Sequence, residues 1–120
     1  MVKSYKDLVV WQKAMQQVTE IYQMVKKLPK EELYALSDQM RRAAVSVPSN
    51  IAEGHSRNSL KEYVQFLSIA KGSNAELQTQ CLLCETLGYV SEAELREVLS
   101  LSEEISKMLT IMSKKLTPDT

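Results

Sequence analysis

The stretch Ser59-Leu60-Lys61-Glu62-Tyr63-Val64-Gln65-Phe66-Leu67-Ser68-Ile69-Ala70-Lys71-Gly72-Ser73-Asn74-Ala75-Glu76-Leu77-Gln78-Thr79-Gln80-Cys81-Leu82-Leu83-Cys84-Glu85-Thr86-Leu87-Gly88 decides the fold. Ser59 and Glu62 have the spacing of a capping box, in which the serine and the glutamate satisfy the first free amides of a helix. Apolar or small residues then recur at intervals of three and four, through Tyr63, Leu67, Ala70, Asn74, Leu77, Cys81 and Cys84, until Gly88 ends the run. At about 1.5 Å per residue such a helix is roughly 40 Å long. A helix of that length cannot bury its apolar seam alone and needs several partners of similar length.

The rest of the chain supplies three. Upstream, Leu8, Trp11, Met15, Val18, Tyr22 and Val25 form a seam, with Ala14, Ile21 and Leu28 beside it, and Pro29 stops the helix. A second run carries Leu36, Met40, Ala43, Val47 and Ile51, with Gly54 placed to end it. Pro48 lies inside this run, where it removes a backbone donor and crowds the carbonyl of Ala44, so a kink or a break is expected there. A fourth helix opens with a second capping box, Ser91 to Glu94. It presents Leu95, Val98, Ile105, Leu109, Met112 and Leu116, with Leu101 and Met108 alongside, and Pro118 closes the ordered chain. The pattern predicts an all-α fold of four helices over about 7–27, 36–54, 59–87 and 91–116, joined by short connections. Such helices pack most simply as an antiparallel up-down-up-down four-helix bundle. The 120 residues are expected to form one domain, 1–120.

Composition narrows the function. Equal numbers of cationic and anionic side chains leave a formal charge of zero, so no bulk field draws the chain to nucleic acid or anionic membrane. The basicity is local: the first thirty residues carry six lysines against Asp7 and Glu20, a net +4, and the later quarters carry −1, −1 and −2. No apolar run approaches the roughly 20 residues of a membrane span, and the opening residues lack a signal-peptide core. A cytoplasmic location is expected, and two cysteines three residues apart on one helix agree with a reducing compartment.

Each constellation that could carry chemistry has a plainer reading. Cys81-Leu82-Leu83-Cys84 has the spacing of a redox or zinc half-site, but it lies deep in a helix, and His55 is the only histidine, so core packing is preferred. Asn74 on the third seam, and Asn50 and Glu53 near the second, are read as a hydrogen-bonded network that fixes register or assembly, ahead of a ligand pocket. Small residues around Asn74 (Gly72, Ser73 and Ala75) allow another backbone to approach. No catalytic set, metal site or cofactor loop is read, and one histidine leaves little material for acid–base work. Candidate nucleic-acid contacts are Lys3, Lys6, Lys13, Arg41, Arg42, Arg57 and Lys61. Val9, Val10, Met24, Leu82, Leu83 and Ile111 lie at or beyond the seam edges, which points to a second buried face and a homo-oligomer.

Three segments carry a family resemblance: Tyr5 to Ala14, Gln39 to Gly54 (Gln-Met-Arg-Arg-Ala-Ala-Val-Ser-Val-Pro-Ser-Asn-Ile-Ala-Glu-Gly), and Phe66 to Leu77. They resemble the 23S ribosomal RNA intervening-sequence protein family over nearly the whole chain. The resemblance implies a bacterial four-helix bundle assembled as a homopentamer around a central channel. It implies no activity and names no ligand. The related accessory variability protein of diversity-generating retroelements is a strongly basic pentamer that binds nucleic acid and a reverse transcriptase, whereas this chain is neutral. The combined expectation is a non-catalytic oligomeric scaffold that contacts ribosomal RNA or another nucleic acid through its basic residues. The alternatives are a module that meets only a protein partner and, more remotely, a small-ligand binder built on Asn50, Glu53, Asn74 and His55.

Overall fold

The computed structural model describes residues 2–117 and contains four helices: α1 Val9–Val25, α2 Leu36–His55, α3 Leu60–Thr86 and α4 Glu92–Leu116. There is no strand among the described residues, and Pro118 lies outside them. Each helix packs on its two neighbours, and the backbones of the diagonal pairs α1/α3 and α2/α4 stay apart. The pairings run antiparallel. On α1 and α4, Lys13 meets Glu104 at 2.9 Å and Lys27 meets Glu94 at 2.6 Å. On α2 and α3, Met40 meets Cys84, Ser46 meets Ser73, and Gly54 meets Phe66. The result is an up-down-up-down four-helix bundle about 47 Å long. Its lower end holds the starts of α1 and α3 and the ends of α2 and α4. Its upper end holds the other four termini.

Local chemistry sets the helix ends. A one-turn 3-10 segment, Tyr5–Asp7, precedes α1 and delays its start to Val9. Ser4 caps this turn, and the Asp7 carboxylate accepts the backbone amides of Lys3 and Ser4. At α4 the capping box is complete, with Ser91 and Glu94 each satisfying the other's amide. At α3 it is half made: Ser59 accepts the Glu62 amide, but Arg57 lies 3.8 Å from the Glu62 carboxylate, which accepts the Ser59 hydroxyl instead of its amide. Gly88, at φ +80°, ends α3 in a left-handed cap in which the amides of Gly88 and Tyr89 bond the carbonyls of Glu85 and Cys84.

Two sequence expectations about α2 need correction. Of the kink or break expected at Pro48, the break does not occur: the helix continues to His55, and the missing donor leaves one carbonyl without its helical partner. Gly54 does not end the helix. It is buried within the last turn because a Cβ there would sit 2.7 Å from the Cβ of Phe66, so only glycine lets α2 and α3 cross this closely. The α1 seam is also rotated from the one read in the sequence. Its buried face is Val10, Ala14, Gln17, Ile21, Met24 and Val25, while Met15 and Tyr22 are exposed. Gln17 occupies a central core position, and as a polar residue it gave no periodicity signal.

The core falls into two apolar clusters. The upper one gathers Ile21, Met24, Met40, Ala44, Leu77, Cys81, Cys84, Leu95 and Val98. The lower one gathers Val10, Ala14, Val47, Ile51, Leu67, Ala70, Ile105 and Leu109. Between them lies a belt of polar side chains.

Candidate functional site

The belt centres on Asn74, which is fully buried at 0% exposure. Its oxygen accepts from the Gln17 amide at 3.2 Å and from the Ser102 hydroxyl at 2.9 Å, and its own amide donates to the Ser102 carbonyl at 2.8 Å. One side chain thereby ties α1, α3 and α4 together, including the diagonal pair. On the other side of α3, the hydroxyls of Ser46 and Ser73 share a hydrogen bond of 2.8 Å, and Asn50 donates to both the carbonyl and the hydroxyl of Ser46. Both polar atoms of Asn74, and the side-chain nitrogen of Asn50, are thus engaged within the fold. Gln17 Oε1 and Gln80 Oε1 are buried without a partner, a cost accepted inside an otherwise satisfied core. Glu53 stands apart from the belt: it is exposed and pairs with Arg57 at 2.8 Å. Asn74, Asn50 and Glu53 therefore do not converge on one point. His55 packs edge-to-face on Tyr63 near the lower end.

The cysteines are buried in the upper cluster, and Cys84 donates to the Met40 sulfur at 3.5 Å. Burial, with Cys84 alongside, pushes the Cys81 thiol up to about 12, and burial also raises Cys84, so both stay protonated and weakly nucleophilic at neutral pH. Among the described residues no three of histidine, cysteine, aspartate and glutamate gather as a metal ligand set. None of the helices is long and apolar enough to cross a membrane.

The candidate cations are split by the topology. Lys3, Lys6, Arg57 and Lys61 lie at the lower end, Lys13 lies partway up α1 in an ion pair with Glu104, and Arg41 and Arg42 lie at the upper end beside Asp38. Arg57 is held by Glu53 and stacks over the Phe66 ring at 4.9 Å. The structure brings to the lower end two residues that sequence reasoning missed, Lys114 and Lys115 in the last turn of α4. Their signal lay in the topology: in an up-down bundle the last turn of the fourth helix returns to where the first begins. Lys3, Lys6, Lys61, Lys114 and Lys115 are all exposed, and none lies within ion-pairing distance of a carboxylate among the described residues. Asp7, the nearest acid in sequence to Lys6, is committed to capping.

Dividing the described residues at the polar belt makes the asymmetry quantitative. The lower half carries nine cations against Asp7, Glu53, Glu62, Glu103 and Glu104, a net +4. The upper half carries six cations against nine carboxylates, a net −3. A neutral chain has folded into a molecule with one basic and one acidic end.

A second surface feature runs along α3, which exposes several apolar side chains on its outward side. Ile69 is 51% exposed and Leu82 48%, with Leu83 and Leu87 also exposed. Ser68, Gly72, Ala75 and Thr79 line the same outward side at spacings of three and four, and all but the glycine are small residues with short polar or methyl tips. A Cβ on Gly72 would meet nothing within 4 Å among the described residues, so none of them requires a glycine there.

An antiparallel four-helix bundle with a polar belt and oppositely charged ends is the class of protein that this geometry defines. The chain belongs to the 23S rRNA-intervening sequence protein family, which it matches over residues 6–111. Among solved structures it is similar to a protein of unknown function from the S23 ribosomal protein family of Bacteroides thetaiotaomicron. The likeness has a TM-score of 0.80 at 23% identity and covers 88% of this chain and 99% of that one. At that identity the likeness supports the fold. No curated protein is similar enough to count as a match.

Proposed function

We propose that this chain is a non-catalytic cytoplasmic scaffold that assembles with copies of itself through the outward face of α3 and contacts RNA through the lysines at its lower end. The observation that carries the RNA reading is the group Lys3, Lys6, Lys61, Lys114 and Lys115, exposed and without a carboxylate partner among the described residues. Phosphate neutralisation by such side chains releases counterions and needs no base-specific contact. Assembly, with five subunits as the family resemblance implies, repeats a modest patch around a ring, and avidity makes weak contacts effective. The exposed apolar residues of α3, together with the small residues between them, support a face at which a second backbone packs closely.

Titration of a labelled ribosomal RNA fragment, with an unrelated RNA as control, tests the contact. Five single-strand phosphate contacts predict a log–log salt slope of about −3.5 per subunit engaged. The double variant Lys6→Glu/Lys115→Glu is expected to flatten that slope while leaving the mass by light scattering unchanged, whereas Ile69→Lys is expected to lower the mass. No binding at low salt removes RNA from the reading and leaves a scaffold whose partner is a protein. A monomeric mass for the natural chain removes self-assembly.

A further inference from the structure

At the upper end, the last turn of α1, the connection after it and the first turns of α2 enclose a cleft of about 430 Å³. Its walls are apolar, from Tyr22, Val25, Leu28 and Leu33, and three cations line it: Lys26, Lys30 and Arg41. Among the described residues no carboxylate lines it. This stands against the character of its surroundings, since the upper half of the bundle is net acidic. Arg41 is the best defined of the three. Its side chain is only 24% exposed, and its guanidinium donates to the Leu33 carbonyl at 3.2 Å, while the nearest carboxylate, Asp38, stands at 3.9 Å and is shared with Arg42. A guanidinium has five donors in a fixed fork. Held by a backbone carbonyl on one side and open to the cleft on the other, Arg41 has donors to spare for an anion.

We propose that this cleft docks an acidic segment of a partner protein, with one apolar side chain seated between Tyr22, Leu28 and Leu33 and an adjacent carboxylate on Arg41. The volume suits one or two apolar side chains. Charge complementarity selects the occupant: an apolar peptide without acids leaves three cations unpaired at the rim, and an acidic segment without an anchor leaves Leu33 and Tyr22 exposed, as they are now. The carboxylates of this half lie outside the cleft, on Glu31, Glu32 and Asp38 next to it in sequence and along α3 and α4, so a polynucleotide running past the rim meets them, whereas a short peptide that presents its carboxylates only at the rim does not. The site is independent of the lysine-rich end and stands or falls separately from the RNA reading.

The test uses the full chain and a fluorescein-labelled peptide with the core Asp-Leu-Glu-Leu, followed by anisotropy and by amide chemical shifts. Saturable binding is expected, with shifts confined to the residues around Leu28, Leu33 and Arg41. The peptide with Asn and Gln in place of its acids is expected to bind at least about tenfold more weakly, the effect of one lost charge-assisted hydrogen bond. Arg41→Gln is expected to reproduce that loss. Because Arg41 also holds the Leu33 carbonyl, the double variant Lys26→Gln/Lys30→Gln, which leaves that bond intact, is expected to weaken binding several-fold at low salt. Absence of saturable binding, equal binding by the amide peptide, or displacement of the peptide by an RNA oligonucleotide whose own shifts map to this cleft would each overturn the proposal.

Discussion

Replacing Asn74 by alanine tests whether the polar belt holds the bundle together. The side chain makes three buried hydrogen bonds, two as acceptor and one as donor. Its removal leaves the Gln17 amide group without a partner, beside a Gln17 oxygen that already lacks one, and orphans the Ser102 hydroxyl. The Ser102 carbonyl keeps its place in the helical ladder and is charged little. Each newly orphaned buried group costs about 1–3 kcal/mol, so Asn74→Ala is expected to destabilise by about 2–5 kcal/mol. Urea unfolding followed by circular dichroism, at one fixed protein concentration so that assembly does not shift the midpoint, reads this directly. The triple variant Gln17→Leu/Asn74→Leu/Ser102→Ala removes every partner at once and is expected to lie near the natural stability, since no polar atom is left unsatisfied. Its expected defect is in uniqueness, seen as broadened amide resonances at mid-bundle. A loss below about 1 kcal/mol for Asn74→Ala would refute the reasoning, because the orphaned groups would then have found water or each other.

Three further outcomes follow from the packing and the charges. Gly54→Ala forces a Cβ to within 2.7 Å of the Phe66 Cβ and is expected to cost about 1–3 kcal/mol, whereas Gly72→Ala, which meets nothing within 4 Å, is expected to leave monomer stability unchanged or slightly raised. Lys27 and the Ser91 amide and hydroxyl hold the Glu94 carboxyl down to about 2, from an ordinary 4.5, so its contribution is present above about pH 5 and is lost as pH falls towards 2. Glu94→Gln is therefore expected to flatten the stability profile in that acid window and to leave its alkaline side alone. Cys81 and Cys84, buried and held protonated, are expected to react with a disulfide reagent only in urea, and prompt reaction of the folded chain would show that the upper cluster opens.

The helices were legible because the chain has few breakers and strong apolar periodicity, and Asn74 was legible as a polar residue on an otherwise apolar seam. Its partners were not. Gln17 sits at the centre of α1's buried face, and a reading that ranks residues by hydrophobicity rotates the seam towards Met15 and Tyr22, which are exposed. Only the register of α1 against α3 shows why a glutamine belongs there. Gly54 was noticed for the wrong reason, because a glycine near the end of an apolar run looks like a cap until the neighbouring helix is in place. The candidate cations were read from density along the chain, which groups Lys13 with Lys3 and separates Lys6 from Lys115. In the bundle Lys6 and Lys115 share the lower end, while Lys13, though in the same half, is paired with Glu104.

That regrouping bears on how a chain of zero net charge can address an anionic polymer. Had the charges been mixed evenly, each lysine would lie within a Debye length, about 8 Å at physiological salt, of carboxylates that cancel it. An axial division with net charges of +4 and −3, spread over a bundle 47 Å long, places most of the opposing charge several Debye lengths away. The lower end then acts as a basic surface in its own right. If the proposed assembly through α3 closes as a ring by rotation about an axis along the bundles, every subunit points the same way and the lower ends share one face. In such a ring the clefts beside Arg41 would lie on the opposite face. One ring would thus offer an RNA on one side and an acidic peptide on the other, and a scaffold needs no catalytic group to bring two such partners together.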